Sequence, residues 1–222
     1  VEEVLRIAVA QPAVVAYDVA ANVATHAKIV RTAGAKLVVF PELSLTGYNL
    51  DAPVLTCDDP RLLQIVAACA DADAVALVSA PLADADGHAY IATLLVDGEG
   101  VTVAYRKIHL HSPEDERFTP GDKHVVLDLD GRRLGLAICR DASLAEHAAA
   151  TVAAGADIYV CEHPQLACGP ARCADARACD YAPDACGAVL RRGPGRAAAD
   201  CGWLRILGAG RYGHRTGRRH AG

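Results

Sequence analysis

Apolar residues fall along this chain in short blocks whose spacing changes from strand-like to helical and back. "VLRIAVAQ" is apolar and ends on a polar residue, as an inner sheet strand does. "DVAANVATHAKIVRTAG" then spaces its apolar residues at helical intervals and closes on Gly34. "KLVVFPE" reads as the next strand, "PRLLQIVAACADA" as a second helix with Pro60 near its first turn, and "AVALVSAP" as the strand that follows. After this β-α-β-α-β run, "HAYIATLLVD" and "VTVAYRKIHL" flank the turn "GEG" and predict a hairpin, so the sheet is mixed and not purely parallel. "HVVLDLDGRRLGLAIC" repeats the hairpin pattern around Asp130 and Gly131. "SLAEHAAATVAAG" predicts a helix with Ser143 as its N-cap, and "ADIYVCEH" a further strand.

Composition sets the scale and the partners. With 222 residues, 52% of them apolar, the chain can bury a sizeable core and most economically makes one globular domain. A net charge of −5 gives no whole-protein reason to bind nucleic acid or an anionic membrane, and suits a small substrate better. No apolar run approaches the roughly 20 residues that span a bilayer, and "VEEVLRIAVAQ" reads as an acidic strand and not as a leader. The expectation is a cytoplasmic protein whose nine cysteines are reduced thiols. The tail cysteines contain no C-x-x-C pair, which argues against zinc.

The character changes near residue 166. Residues 166–222 hold ten Arg, four Asp and no Lys, a formal +6 against −11 for residues 1–165. They are rich in Ala, Gly, Pro and Cys, and neither period persists, although "GWLRILG" suggests a short strand. The chain therefore divides into a domain over 1–165 and an atypical tail over 166–222. A disordered arm, or a GC-rich gene read in a shifted frame, would produce such a composition.

Three strand ends carry the candidate chemistry: Glu42 after "VVFP", Lys107 after "VTVAYR" and Cys139 after "LGLAI". Ligand sites of open α/β sheets gather at strand C-terminal ends, so the three could converge although far apart in sequence. A thiol must lose its proton to attack a carbonyl or nitrile carbon, a carboxylate can take that proton, and a fixed ammonium can hold the negative atom that develops. Singly, each has a plainer reading: a solvated strand exit for Glu42 and Lys107, a core thiol for Cys139. His109 and His111 in "KIHLHS" lack partners in register and read as structural or pocket residues, not metal ligands.

"FPELSLTGY", "YRKIHL" with "ERFTPGD" downstream, and "GLAICRD" followed by "AAGADIYV" resemble, in order and spacing, the nitrilase or carbon–nitrogen hydrolase superfamily. The resemblance implies an α/β fold, an α-β-β-α sandwich with mixed sheets, here incomplete at the C-terminus. It implies hydrolysis of non-peptide carbon–nitrogen bonds through a cysteine thioester, without cofactor or metal, in homo-oligomers. By motif, Glu42 is the general base, Lys107 the stabiliser of the tetrahedral intermediate and Cys139 the nucleophile. Glu116, in "PEDERFTPGD", corresponds to the second glutamate that holds the lysine, and Arg140 and Tyr48 are pocket or oxyanion candidates. Asp141 is expected to fix the turn after the nucleophile. The expected partner is a small amide; the rival expectations are a truncated, catalytically silent α/β protein and a basic-tailed binding module.

Overall fold

A computed structural model describes residues 4–163, 189–192 and 205–208. Its chain order is β1 (Ile7–Gln11), α1 (Val19–Ala33), β2 (Leu37–Val39), α2 (Leu63–Ala72), β3 (Val75–Ala83), β4 (Ala89–Val96), β5 (Val101–Arg106), β6 (Val126–Leu129), β7 (Arg132–Ile138), α3 (Ala145–Ala153), β8 (Ile158–Glu162), β9 (Val189–Arg192) and β10 (Arg205–Gly208). The strands make two sheets, β10-β1-β2-β3-β4-β5 and β6-β7-β8-β9. Both are mixed: β1, β2 and β3 run parallel and β3, β4 and β5 antiparallel, while β7 is antiparallel to β6 and parallel to β8.

The layering follows from which faces are apolar. On α1, Val19, Val23, Ala27 and Val30 recur at helical spacing and pack with Val38, Phe40, Ala76 and Val78 against the first sheet. Asp18 caps this helix by accepting from the Ala21 N–H at 3.0 Å, and Gly34, at φ 60°, ends it in the left-handed conformation. The alternate strand residues, among them Val9, Leu37, Val39, Leu77 and Ile91, face Leu134, Leu136, Ile138 and Val160 across the space between the sheets. β2 is buried on both faces, which is why it reads as an unbroken apolar run. On the far side, α3 lies close on β7: a Cβ at Gly135 would stand 2.2 Å from Thr151 Cγ2, so only glycine permits that approach. The result is the expected α-β-β-α sandwich.

One local expectation needs correction. Ser143 does not cap α3; it belongs to the turn Cys139–Ser143, where its hydroxyl donates to the Arg140 carbonyl at 2.7 Å, and the helix begins after Leu144. Within the tail, β10 pairs with β1 and β9 with β8, so segments of it supply a strand to each sheet. What else the sequence leads one to expect of 166–222 lies outside the described residues. No helix among the described residues is long and apolar enough to cross a membrane.

Candidate active site

Three strand exits deliver the predicted residues to one place. Lys107 follows β5 directly, with its N–H donating to the Ile91 carbonyl at 2.9 Å and its carbonyl accepting from Gly121 N at 2.7 Å. Gly121 has to be glycine, since a Cβ there would sit 2.3 Å from the Arg106 carbonyl oxygen. Glu42 lies three residues beyond β2, and Cys139 immediately after β7. The residues at both turns are held left-handed, Leu43 at φ 53° and Cys139 at φ 46°, a conformation that costs a non-glycine residue roughly 1–3 kcal/mol and clusters at functional sites.

Lys107 is fully enclosed, and its ammonium donates to Glu42 Oε1 at 2.6 Å and to Glu114 Oε1 at 2.7 Å. The second glutamate is thus Glu114, not the predicted Glu116. Both belong to the short turn Glu114–Glu116, but that turn aims Glu114 inward at 0% exposure and leaves Glu116 in solvent. Glu114 is further fixed by the Tyr48 hydroxyl, which donates to its Oε1 at 2.6 Å, and by the His111 N–H on its Oε2 at 3.2 Å. Tyr48 is therefore a brace on the lysine's partner, itself 39% exposed beside the site. Glu42 and Tyr48 also line a cavity of about 370 Å³ along the 41–49 loop. The Arg140 side chain is exposed, while its backbone follows the nucleophile's turn.

Burial sets the protonation states. It raises the Glu42 carboxyl to about 7 against the downward pull of Lys107. Burial and the Glu42 charge push the Cys139 thiol up to about 12, with Lys107 opposing. Lys107 is raised in spite of its burial, chiefly because Glu42 attracts its charge. Glu42 Oε2 has no partner within ordinary hydrogen-bond distance, although the Cys139 thiol stands near enough to act on the carboxyl as a donor.

Asp141 ties two of the exits together. Its oxygens accept from Ile138 N (3.0 Å), His109 N (2.8 Å), His109 Nδ1 (2.9 Å) and the Tyr105 hydroxyl (2.7 Å). With that hydroxyl proton given to Asp141, His147 Nε2 must donate to the Tyr105 oxygen at 2.9 Å, which leaves Nδ1 to accept from Tyr159 at 2.8 Å. Burial holds His147 down at about 4, in keeping with this neutral tautomer. His109, Asp141 and His147 are spaced to hold a metal ion, but hydrogen bonds already occupy the Asp141 oxygens and both His147 nitrogens, so the group acts as a brace.

The family model for carbon–nitrogen hydrolases matches residues 6–174. The chain belongs to the carbon–nitrogen hydrolase family. Among its relatives, an (R)-stereoselective amidase from Pseudomonas sp. is 30% identical over 127 residues, 56% of this chain and 46% of that protein. A hydrolase encoded in the pqqF 5′ region of Pseudomonas protegens is 32% identical over 152 residues, 64% of this chain and 53% of that protein. The chain spans about half the length of these relatives. Among solved structures, a cysteine-to-alanine mutant of the Nesterenkonia AN1 amidase, from the nitrilase superfamily, superposes with a TM-score of 0.63 at 24% identity, covering 73% of this chain and 66% of that one. The glutamine-dependent NAD+ synthetase of Acinetobacter baumannii matches at a TM-score of 0.63 and 22% identity, over 72% of this chain and 32% of its own. These likenesses show the nitrilase fold.

Sequence reasoning missed Glu114, His147 and Glu162. Glu162 gave a legible signal: like Glu42, it is an acid ending an apolar strand, and it is 1% exposed.

Proposed function

We propose that this carbon–nitrogen hydrolase cleaves a small amide to a carboxylate plus ammonia or an amine through a thioester on Cys139. The observation that carries the reading is the enclosed Lys107, held between Glu42 and Glu114 beside Cys139. The (R)-stereoselective amidase among the relatives favours amides over nitriles as the substrate class.

The roles follow from the protonation states. Burial raises both groups, and the Cys139 thiol holds its proton more tightly than the Glu42 carboxyl does, so a free thiolate is disfavoured before substrate binds. Proton transfer to Glu42 therefore accompanies attack of Cys139 sulfur on the amide carbon. The carbonyl oxygen becomes an oxyanion held by the Lys107 ammonium and the Arg140 N–H. The carbon–nitrogen bond breaks as Glu42 returns the proton to the departing nitrogen. Water then attacks the thioester carbon, Glu42 takes its proton, the carbon–sulfur bond breaks, and the thiolate recovers that proton. Glu114 and Tyr48 hold Lys107 in place and do not exchange protons with substrate.

Ammonia or amine release from a panel of small aliphatic and aromatic amides, comparing wild type with Cys139→Ala, tests the proposal. Release abolished by Cys139→Ala supports it; release that survives the substitution sinks it. The family resemblance extends the proposal to a homo-oligomer, and light scattering that finds only monomer at assay concentration would end that part.

A further inference from the structure

Among the described residues, three buried side-chain atoms have no hydrogen-bond partner within 3.5 Å: Glu42 Oε2, Ser79 Oγ and Glu162 Oε1. Such atoms are costly unless something completes them, and a buried water commonly does so with about three hydrogen bonds. Their places in the fold bring them together. Ser79 on β3 is the register partner of Thr93 on β4, and both lie on the face that meets the second sheet, two residues along from Leu77 and Ile91. Glu162 ends β8 opposite Ile138, the residue before Cys139, and reaches across the gap so that its Oε2 accepts from the Thr93 hydroxyl at 2.8 Å. Ser79 stands close enough to act on the Glu162 carboxyl as a donor, and the Glu42 charge is felt there as well. All three residues are at most 2% exposed.

We propose that Ser79 Oγ and Glu162 Oε1, with Glu42 Oε2 at the edge, form a subsite for one water molecule, the water that hydrolyses the Cys139 thioester. This inference rests on the hydrolase reading above and names the source of its second half-reaction. In the resting protein the Cys139 thiol stands near the Glu42 carboxyl and can direct its proton there. Once the sulfur is acylated it has no proton to give, and Oε2 becomes the acceptor for a proton of the water. Glu162 is held in its protonated form by burial, so its carboxyl proton donates to the water oxygen, and Ser79 accepts the second water proton. The remaining lone pair of the water is free to attack the thioester carbon. In that step the oxygen–carbon bond forms, one water proton passes to Glu42, and the carbon–sulfur bond breaks to return the thiolate. Glu162 and Ser79 give up no proton; they position the water.

The test separates the two halves of the reaction. Wild type, Glu162→Met, Glu162→Gln and Ser79→Ala are treated with p-nitrophenyl acetate, and the acetyl adduct on Cys139 is followed by intact mass. The rate of Cys139 alkylation by iodoacetamide is measured in parallel. The expected result is acetyl-enzyme hydrolysis slowed about tenfold or more in Glu162→Met and in Ser79→Ala, the effect of one lost hydrogen bond on a barrier. Alkylation stays within about threefold of wild type, because that step does not use the water. Glu162→Gln, which keeps a donor and an acceptor, recovers part of the hydrolysis rate. Unchanged hydrolysis in both Glu162→Met and Ser79→Ala overturns the subsite, and so does alkylation slowed as much as hydrolysis, which would mean the residues assemble the site as a whole. Ser79→Ala removes a single oxygen and keeps the test decisive where Glu162→Met does not fold. A wild type that never acquires an adduct on Cys139 overturns the hydrolase reading itself.

Discussion

Replacing Lys107 by Met exposes the electrostatic design of the site. The ammonium makes contacts of 2.6 and 2.7 Å with Glu42 and Glu114, all three side chains being at 0% exposure. Its removal leaves two buried carboxylates facing each other without its charge, and breaking a buried pair in this way costs about 3–5 kcal/mol. The cost depends on pH. Burial already raises the Glu42 carboxyl from 4.5 to about 7 in the folded protein, even with Lys107 pulling it down, and the substitution raises it further. A carboxyl with a raised folded pKa favours folding below its unfolded value and loses that contribution as pH rises through the folded value. The variant should therefore lose about 3–5 kcal/mol at pH 8 and only about 1–2 kcal/mol at pH 5, where Glu42 is protonated and the loss is mainly that of hydrogen bonds. Urea unfolding of wild type and Lys107→Met at the two pH values measures this. Equal losses at both, or none at pH 8, would refute the charged triad.

Other substitutions separate the neighbouring roles. Glu114→Gln should lower amide turnover by at least about tenfold by loosening Lys107, whereas Glu116→Gln, on an exposed side chain, should leave stability within about 0.5 kcal/mol and turnover unchanged. Because Glu42 must be ionised to accept a proton, kcat/KM should rise with pH through about 7, and a profile flat from pH 5 to 8 would count against its role as base. Gly121→Ala forces a Cβ against the Arg106 carbonyl, and thermal unfolding should show a loss of about 1–3 kcal/mol.

Much of this architecture was legible because burial writes itself into periodicity. β2, enclosed on both faces, reads as an unbroken apolar run, and α1 announces itself by Asp18, its spacing and Gly34. Glu42, Lys107 and Cys139 stand out because each interrupts or ends an apolar strand, and three such exits share one end of the sandwich. Glu114 was not legible. In "PEDE" the acids are chemically alike, and only the turn decides which one points inward. The His147 brace was hidden for a different reason: its partners Tyr105, Asp141 and Tyr159 come from three separate segments, and each looks like ordinary core or turn chemistry alone. Ser143 misled because a good capping residue lies in the turn before the helix, one residue too early to cap it.

The central claim is that Cys139 is a nucleophile served by Glu42, and iodoacetamide labelling followed by intact mass and peptide mapping tests it most directly. The comparison is wild type, Glu42→Gln and Cys139→Ala across pH 5 to 10. The account predicts single-site labelling that vanishes in Cys139→Ala, rises through about pH 7 in wild type, and slows at least about a hundredfold in Glu42→Gln. Labelling spread over several cysteines, or a Cys139 rate that Glu42→Gln leaves unchanged, would contradict it.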